Sequence, residues 1–227
     1  MSLSKVIEIA RGELGEHENP PGSNRVKYWD AYDPKMQGQP WCVAFLWWVF
    51  QQAGERMAFF GGGKTASCSM LLRWYKEQGL TVPVSEMQKG DIVLLNFHGG
   101  KDPEHCGLTE LVLYADSPKN MCIWTIEGNT TPGYEGSQDN GGCVASKLRF
   151  GNQIVAVCRP QYKPEEPEIV DDVSGHWFTP SVEWAREKGL VKNYPDGSFK
   201  PNQPITRAEA CVMMERIYAL LCEDDMR

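Results

Sequence analysis

Apolar positions fall into two regimes along the chain. In the first third they recur at helical spacing: Val6, Ile7, Ala10 and Leu14 share one face of a helix predicted over Ser4–Leu14. Trp41–Ala53 is apolar nearly all round and meets Gly54, which predicts a buried helix. Ser67–Gln78 offers Ser67 as N-cap, Met70, Leu71 and Trp74 as inward positions and Gly79 as stop. Later the period shortens. DIVLLNF (91–97), LTELVLYA (108–115), CIWTIEG (122–128), VASKLRF (144–150) and IVAVCRP (154–160) are short β-branched or aromatic runs between Gly, Pro, Asn and Asp clusters. Helices followed by a run of strands predict an α+β fold with a mostly antiparallel sheet.

A break follows. KPEEPEIV carries two prolines and three glutamates and reads as a linker over 163–170, dividing a first domain (1–162) from a tail module (171–227). In the tail, Thr179 and Pro180 read as N-cap and first residue of a helix that stops at Gly189. YPDG (194–197) reads as a turn, and Thr206 with Glu209 forms a T-x-x-E capping box opening a second helix, with Ala210, Met213, Ile217 and Leu221 as apolar positions. The tail is thus a small all-α helix-loop-helix.

Composition narrows the function classes. The 227 residues carry a net charge of −7, which argues against binding nucleic acid by phosphate neutralisation. The longest uninterrupted apolar run, Trp41–Phe50, is half the roughly 20 residues a bilayer span needs. Lys5, Glu8 and Arg11 stand where a secretory signal would place its apolar core, so no signal peptide is expected. The eight cysteines lack CxxC pairs, and most are expected as reduced core residues. No metal-ligand cluster or EF-hand spacing is read from the chain, so neither a metal nor another cofactor is expected.

Cys42 differs from the other cysteines. It follows GQP and Trp41 where loop becomes helix, a position at which the helix dipole and unpaired backbone N–H groups favour a reactive thiolate and can later hold an oxyanion. A cysteine nucleophile needs a base, and the base an orienting group. Of the four histidines, His105 directly precedes a predicted strand that would hold its ring firmly; His98 sits beside two glycines and is the less favoured choice. In TIEGNT, Glu127 and Asn129 are two apart and share a strand face, so either can fix the imidazole tautomer.

The strings GQPWCVAFLWWV, KGDIVLLNF, H-x-G-L (His105, Gly107, Leu108), TIEGNT and CRPQY together resemble a CHAP domain, a cysteine, histidine-dependent amidohydrolase/peptidase of the papain-like superfamily, over about Ser4–Tyr162. The likeness is nearest to phage endolysins and related wall hydrolases. It implies a papain-like fold, Cys42 as nucleophile, His105 as general base then acid, Glu127 as orienter and Asn129 as an auxiliary polar group, with Glu127 and Asn129 both open as the third member. It further implies substrate contacts from Trp41 and an oxyanion contribution from Gln39. Trp29, Tyr32 and Tyr134 are further candidates for a substrate groove. The chain departs from the family pattern after His105, where Cys106 stands in place of an apolar residue and is expected to be sensitive to oxidation.

The tail string from Asp171 to Ile217 resembles an S-layer homology (SLH) motif, a binder of secondary cell-wall polymers, and the resemblance assigns that contact to Trp177 and to Arg207 of TRAE. Such motifs usually come in threes. A lone one buries little, so packing on the first domain or homo-oligomerisation through the tail is expected. Together the two resemblances imply a peptidoglycan hydrolase, either an N-acetylmuramoyl-L-alanine amidase or an endopeptidase, anchored to bacterial wall. With no signal peptide, the expected location is a host cytoplasm until lysis, as for a phage or prophage endolysin. The alternative is a non-catalytic wall-binding or surface-anchoring protein with a disused hydrolase fold.

Overall fold

The computed structural model describes residues 3–117, 120–133, 135–163 and 171–224, with side chains described outside 114–120 and 221–224. The expected linker, apart from Lys163, and Tyr134 lie outside these residues. The chain forms two compact units, Met1–Pro164 and Glu165–Arg227.

The first unit is a mixed helix and antiparallel-sheet structure. Five helices come first: α1 (Leu3–Gly12), α2 (Lys27–Tyr32), α3 (Cys42–Gln52), α4 (Arg56–Phe60) and α5 (Cys68–Glu77). Strands follow: β1 (Thr81–Val82), β2 (Ile92–Leu95), β3 (His105–Ser117), β4 (Asn120–Thr130), β5 (Cys143–Phe150) and β6 (Ile154–Cys158). They form one sheet in the order β1-β6-β2-β3-β4-β5, antiparallel at every pairing.

The sheet is covered on one face by the helices. Ile92, Leu94, Cys106, Leu108, Ile126 and Val144 pack there with Val43, Phe45, Leu46, Val49 and Phe50 of α3. Val93, Leu95, Ile123 and Val157 make a smaller cluster on the opposite face, so β2 is buried on both sides and reads as a continuous apolar run. Ser67 caps α5 by accepting from Met70 N–H. Two side chains depart from expectation. Met70 points outward, and Leu14 lies exposed beyond the end of α1, which stops at Gly12. The short helices α2 and α4 span only about one turn each, too little for periodicity to reveal.

Close approach of β4 to α3 fixes the site. A Cβ on Gly128 would stand 2.6 Å from Phe45 Cβ and 2.8 Å from Trp41 Cζ3. Both neighbours are fully buried and cannot retreat. Gly128→Ala is therefore expected to destabilise the first unit by about 1–3 kcal/mol, read as a lowered urea midpoint at unchanged slope.

In the second unit, α6 (Thr179–Glu187) and α7 (Arg207–Asp224) flank an ordered loop. The Thr206–Glu209 capping box is formed in both directions: Thr206 N–H donates to Glu209 Oε2 at 2.8 Å, and Glu209 N–H donates to Thr206 Oγ1 at 3.2 Å. Thr179 does not cap α6. Its hydroxyl is engaged with Val173 C=O and His176 N–H, and Phe178 takes the N-cap position. Asp172 accepts from Phe199 and Lys200 N–H and ties the loop to the start of the unit. Val173, Val182 and Leu190 are its buried apolar side chains among the described residues, a very small core.

Candidate active site and wall-binding module

Cys42 is the first residue of α3, after the N-cap Trp41. At that position the backbone N–H groups of the first turn have no intrahelical acceptor and point toward the helix start. His105 opens β3, and Glu127 lies near the end of β4. The fold brings the three together.

The imidazole is held from one side. His105 Nε2 lies 3.1 Å from Glu127 Oε2, with both side chains fully buried. Glu127 is itself gripped by Arg149 of β5, whose Nε donates to Oε1 at 2.8 Å and whose Nη2 donates to Oε2 at 2.5 Å. Thr125 adds a hydroxyl donor to Oε1 at 2.6 Å. Despite burial, which pushes its pKa up, Glu127 is held down at about 2, chiefly by the Arg149 hydrogen bonds and then by His105. An ionised carboxylate only accepts, so Nε2 carries a hydrogen and Nδ1 is the nitrogen left to work. Nδ1 is buried and has no hydrogen-bond partner.

His105 and Cys42 shift each other's proton affinity. Burial lowers the His105 pKa, but the interactions with Cys42 and Glu127 outweigh it and raise the value to about 9. Hydrogen bonds from the Cys106 and Cys68 thiols, and then the imidazole, hold Cys42 well below the ordinary thiol value against the opposing effect of burial. Both shifts run in the direction of a thiolate beside an imidazolium. Gly107, the glycine of the H-x-G string, leaves the space this needs: a Cβ there would stand 2.7 Å from Glu127 Cγ.

Other expected residues are placed elsewhere. Asn129 adopts φ of 60° and donates to Asp139 C=O and Asn140 Oδ1, away from His105, so Glu127 is the group on the imidazole. Trp41 is a correction: it has no exposed surface, donates to Glu18 and stacks on Tyr28, which leaves no face for a substrate. Trp29 is likewise buried. Gln39 has an exposed side chain, and its carbonyl accepts from Trp29 Nε1.

Sequence reasoning missed Arg149 and the thiol cluster around Cys42. A basic residue alternating with apolar ones in VASKLRF was the available signal for Arg149. No local signal exists for the thiols: the sulfurs of Cys42, Cys68 and Cys106 all lie within 4.8 Å of one another, although chain order keeps them far apart.

In the second unit Trp177 is 91% exposed and lines a cavity of about 570 Å³ with Asp172, His176, Phe178, Lys200, Pro201, Asn202 and Gln203. Arg207 is exposed at the start of α7 and is not among the lining residues. The S-layer homology domain model matches residues 171–211. Those residues are an S-layer homology domain.

Relatives agree with the SLH assignment. The chain is 30% identical over 74 residues to the outer membrane protein SlpA of Deinococcus radiodurans (33% of this chain, 6% of that protein). It is 40% identical over 126 residues to a cellulosome-anchoring protein of Acetivibrio thermocellus (52% and 28%), and 39% identical over 61 residues to the S-layer protein sap of Bacillus anthracis (27% and 7%). The chain thus spans under a third of each of these relatives. No solved structure matches it.

The SLH domain supplies a cell-wall-anchoring module, and domains of this family bind secondary cell-wall polymers. The expected cytoplasmic residence until lysis is overturned: proteins sharing this domain are named as outer membrane, anchoring and S-layer proteins, which work at the cell surface. Among the described residues no helix is long and apolar enough to cross a membrane.

Proposed function

We propose that the chain is a wall-anchored cysteine amidohydrolase that cleaves an amide bond of peptidoglycan at the cell surface, its first unit a papain-like CHAP domain. The observation that carries this reading is the buried relay Arg149–Glu127–His105 with Nδ1 left unpartnered beside a depressed thiol. A core with no chemical task gains little from two buried charges and an unsatisfied nitrogen.

In this reading Cys42 thiolate attacks the amide carbonyl, and the first-turn N–H groups of α3 stabilise the oxyanion. His105 gives its Nδ1 proton to the leaving amine. It then takes a proton from the water that hydrolyses the thioester. Glu127 and Arg149 keep the ring oriented and the imidazolium charge balanced. The SLH domain holds the enzyme on the wall beside its substrate, which raises the substrate's effective concentration.

The names of the relatives favour a second reading, a non-catalytic anchoring protein. Release of new amines from purified Gram-positive peptidoglycan separates the two. In the same assay, Trp177→Ala is expected to weaken pelleting with walls about tenfold or more while leaving the unfolding midpoint unchanged, because the ring is almost wholly exposed. A lowered midpoint would assign Trp177 to the core instead.

A further inference from the structure

Three cysteines meet at the nucleophile, and only one is needed for acyl transfer. Cys42 Sγ and Cys68 Sγ lie 3.8 Å apart, both buried and both free thiols. Cys68 begins α5 and Cys42 begins α3, so each sulfur sits at a helix start. Cys106 lies within 4.8 Å of both but belongs to a central strand, its backbone locked opposite Leu94 of β2. Cys68 is the partner free to turn: closing the gap to a bond of about 2.05 Å needs a sulfur displacement of about 1.8 Å, within reach of a χ1 adjustment at a helix start. Among the described residues, Cys68 and Cys106 are the thiols gathered at Cys42, and Cys68 is the one at a helix start.

We propose that Cys68 is a resolving thiol for Cys42, joining it in a reversible disulfide that switches the nucleophile off under peroxide; this rests on reading Cys42 as the nucleophile. Cys42 thiolate attacks a peroxide oxygen and breaks the O–O bond. One oxygen stays as the sulfenic acid Cys42–SOH and the other leaves as water after taking a proton. The Cys68 sulfur then attacks the Cys42 sulfur. The S–S bond forms, the S–O bond breaks, and hydroxide leaves with the Cys68 proton as a second water. The two thiols supply the two electrons that the peroxide accepts. At the surface of a cell, where thiol buffers are scarce, a bare nucleophile would pass on to the irreversible sulfinic acid, and a resolving neighbour prevents this.

The test uses the full, reduced chain with hydrogen peroxide, followed by alkylation, intact mass and peptide mapping. The expected product has lost two hydrogens and yields Cys42 and Cys68 peptides joined to each other. Any lytic activity falls with the fraction oxidised and returns with a thiol reductant. Cys68→Ser is expected to abolish the link and to let Cys42 gain two oxygens, with no recovery on reduction. Cys106→Ser is expected to keep the Cys42–Cys68 link, which separates pairing from damage to folding. Sulfinic Cys42 in the unsubstituted chain, a link to Cys106, or an unchanged mass would each overturn the proposal. If the link forms in a protein that releases nothing from walls when reduced, the disulfide stands and the hydrolase reading falls. Lysis with no link overturns the switch alone.

Discussion

Cys42→Ala is expected to lower amide cleavage in peptidoglycan by about 10³-fold or more while leaving attachment to the wall intact. The two effects separate because they reside in different units. In the proposed mechanism the sulfur of Cys42 forms the acyl bond, and neither Cys68 nor Cys106 replaces it, since both thiols are pushed well above the ordinary range: Cys68, against the lowering hydrogen bond with Cys106, through hydrogen bonding and charge from Cys42 together with burial, and Cys106 by burial first. In the proposed reading wall attachment falls to the SLH domain at 171–211, and Cys42 lies in the other unit. Stability should change little, because alanine keeps the helix start and removes one atom from a tightly packed site. Turbidity loss of walls and pelleting with walls, measured on the same preparations, check both halves of the expectation.

Arg149→Met is expected to cost about 3–5 kcal/mol of stability, because it strands the Glu127 carboxylate in the interior with its two strongest donors gone. The guanidinium is nearly fully buried and also lies 4.6 Å from the centre of the Phe97 ring, so solvent cannot take its place. Adding Glu127→Gln to Arg149→Met should recover part of the loss by removing the lone charge, a coupling that a double-mutant cycle reads directly. Activity should not return with stability, since glutamine cannot balance the imidazolium.

The same relay sets the pH range. Glu127 is depressed from 4.5 to about 2 in the folded chain, so its contribution is present above 4.5 and is lost as pH falls toward 2. His105 is raised from 6.5 to about 9, so its contribution is full below 6.5 and is lost as pH rises through 9. Urea midpoints should therefore be highest between these limits. Arg149→Met should flatten the acid side, and the rate profile should fall on its alkaline side near 9 as the leaving-group proton is lost.

Much of this arrangement was legible because its signals are local. Cys42 at a loop–helix junction, Ser67 as cap, the T-x-x-E box of α7 and the β-rich second half all follow from neighbours in sequence. His105 was favoured over His98 because a strand start is rigid, and His98 in fact pairs with Glu104 on an exposed loop. What was not legible depends on distant partners. Arg149 reaches Glu127 only because β4 and β5 pair with Arg149 opposite Ile123, placing both charges on one face. Trp41 looked available beside the nucleophile, yet a buried acceptor on Glu18 and the Tyr28 ring draw it inward. The cellular location was misjudged for another reason: it was read from the chain's first residues, whereas the informative segment was the tail.

The measurement that bears most directly on the account is mass analysis of soluble fragments after purified protein meets purified Gram-positive peptidoglycan, with Cys42→Ala run beside it. The account predicts fragments with a newly freed amine from the parent protein, none from Cys42→Ala, and equal pelleting of both with the wall. Equal pelleting with no fragments from either would contradict it and leave an anchoring protein.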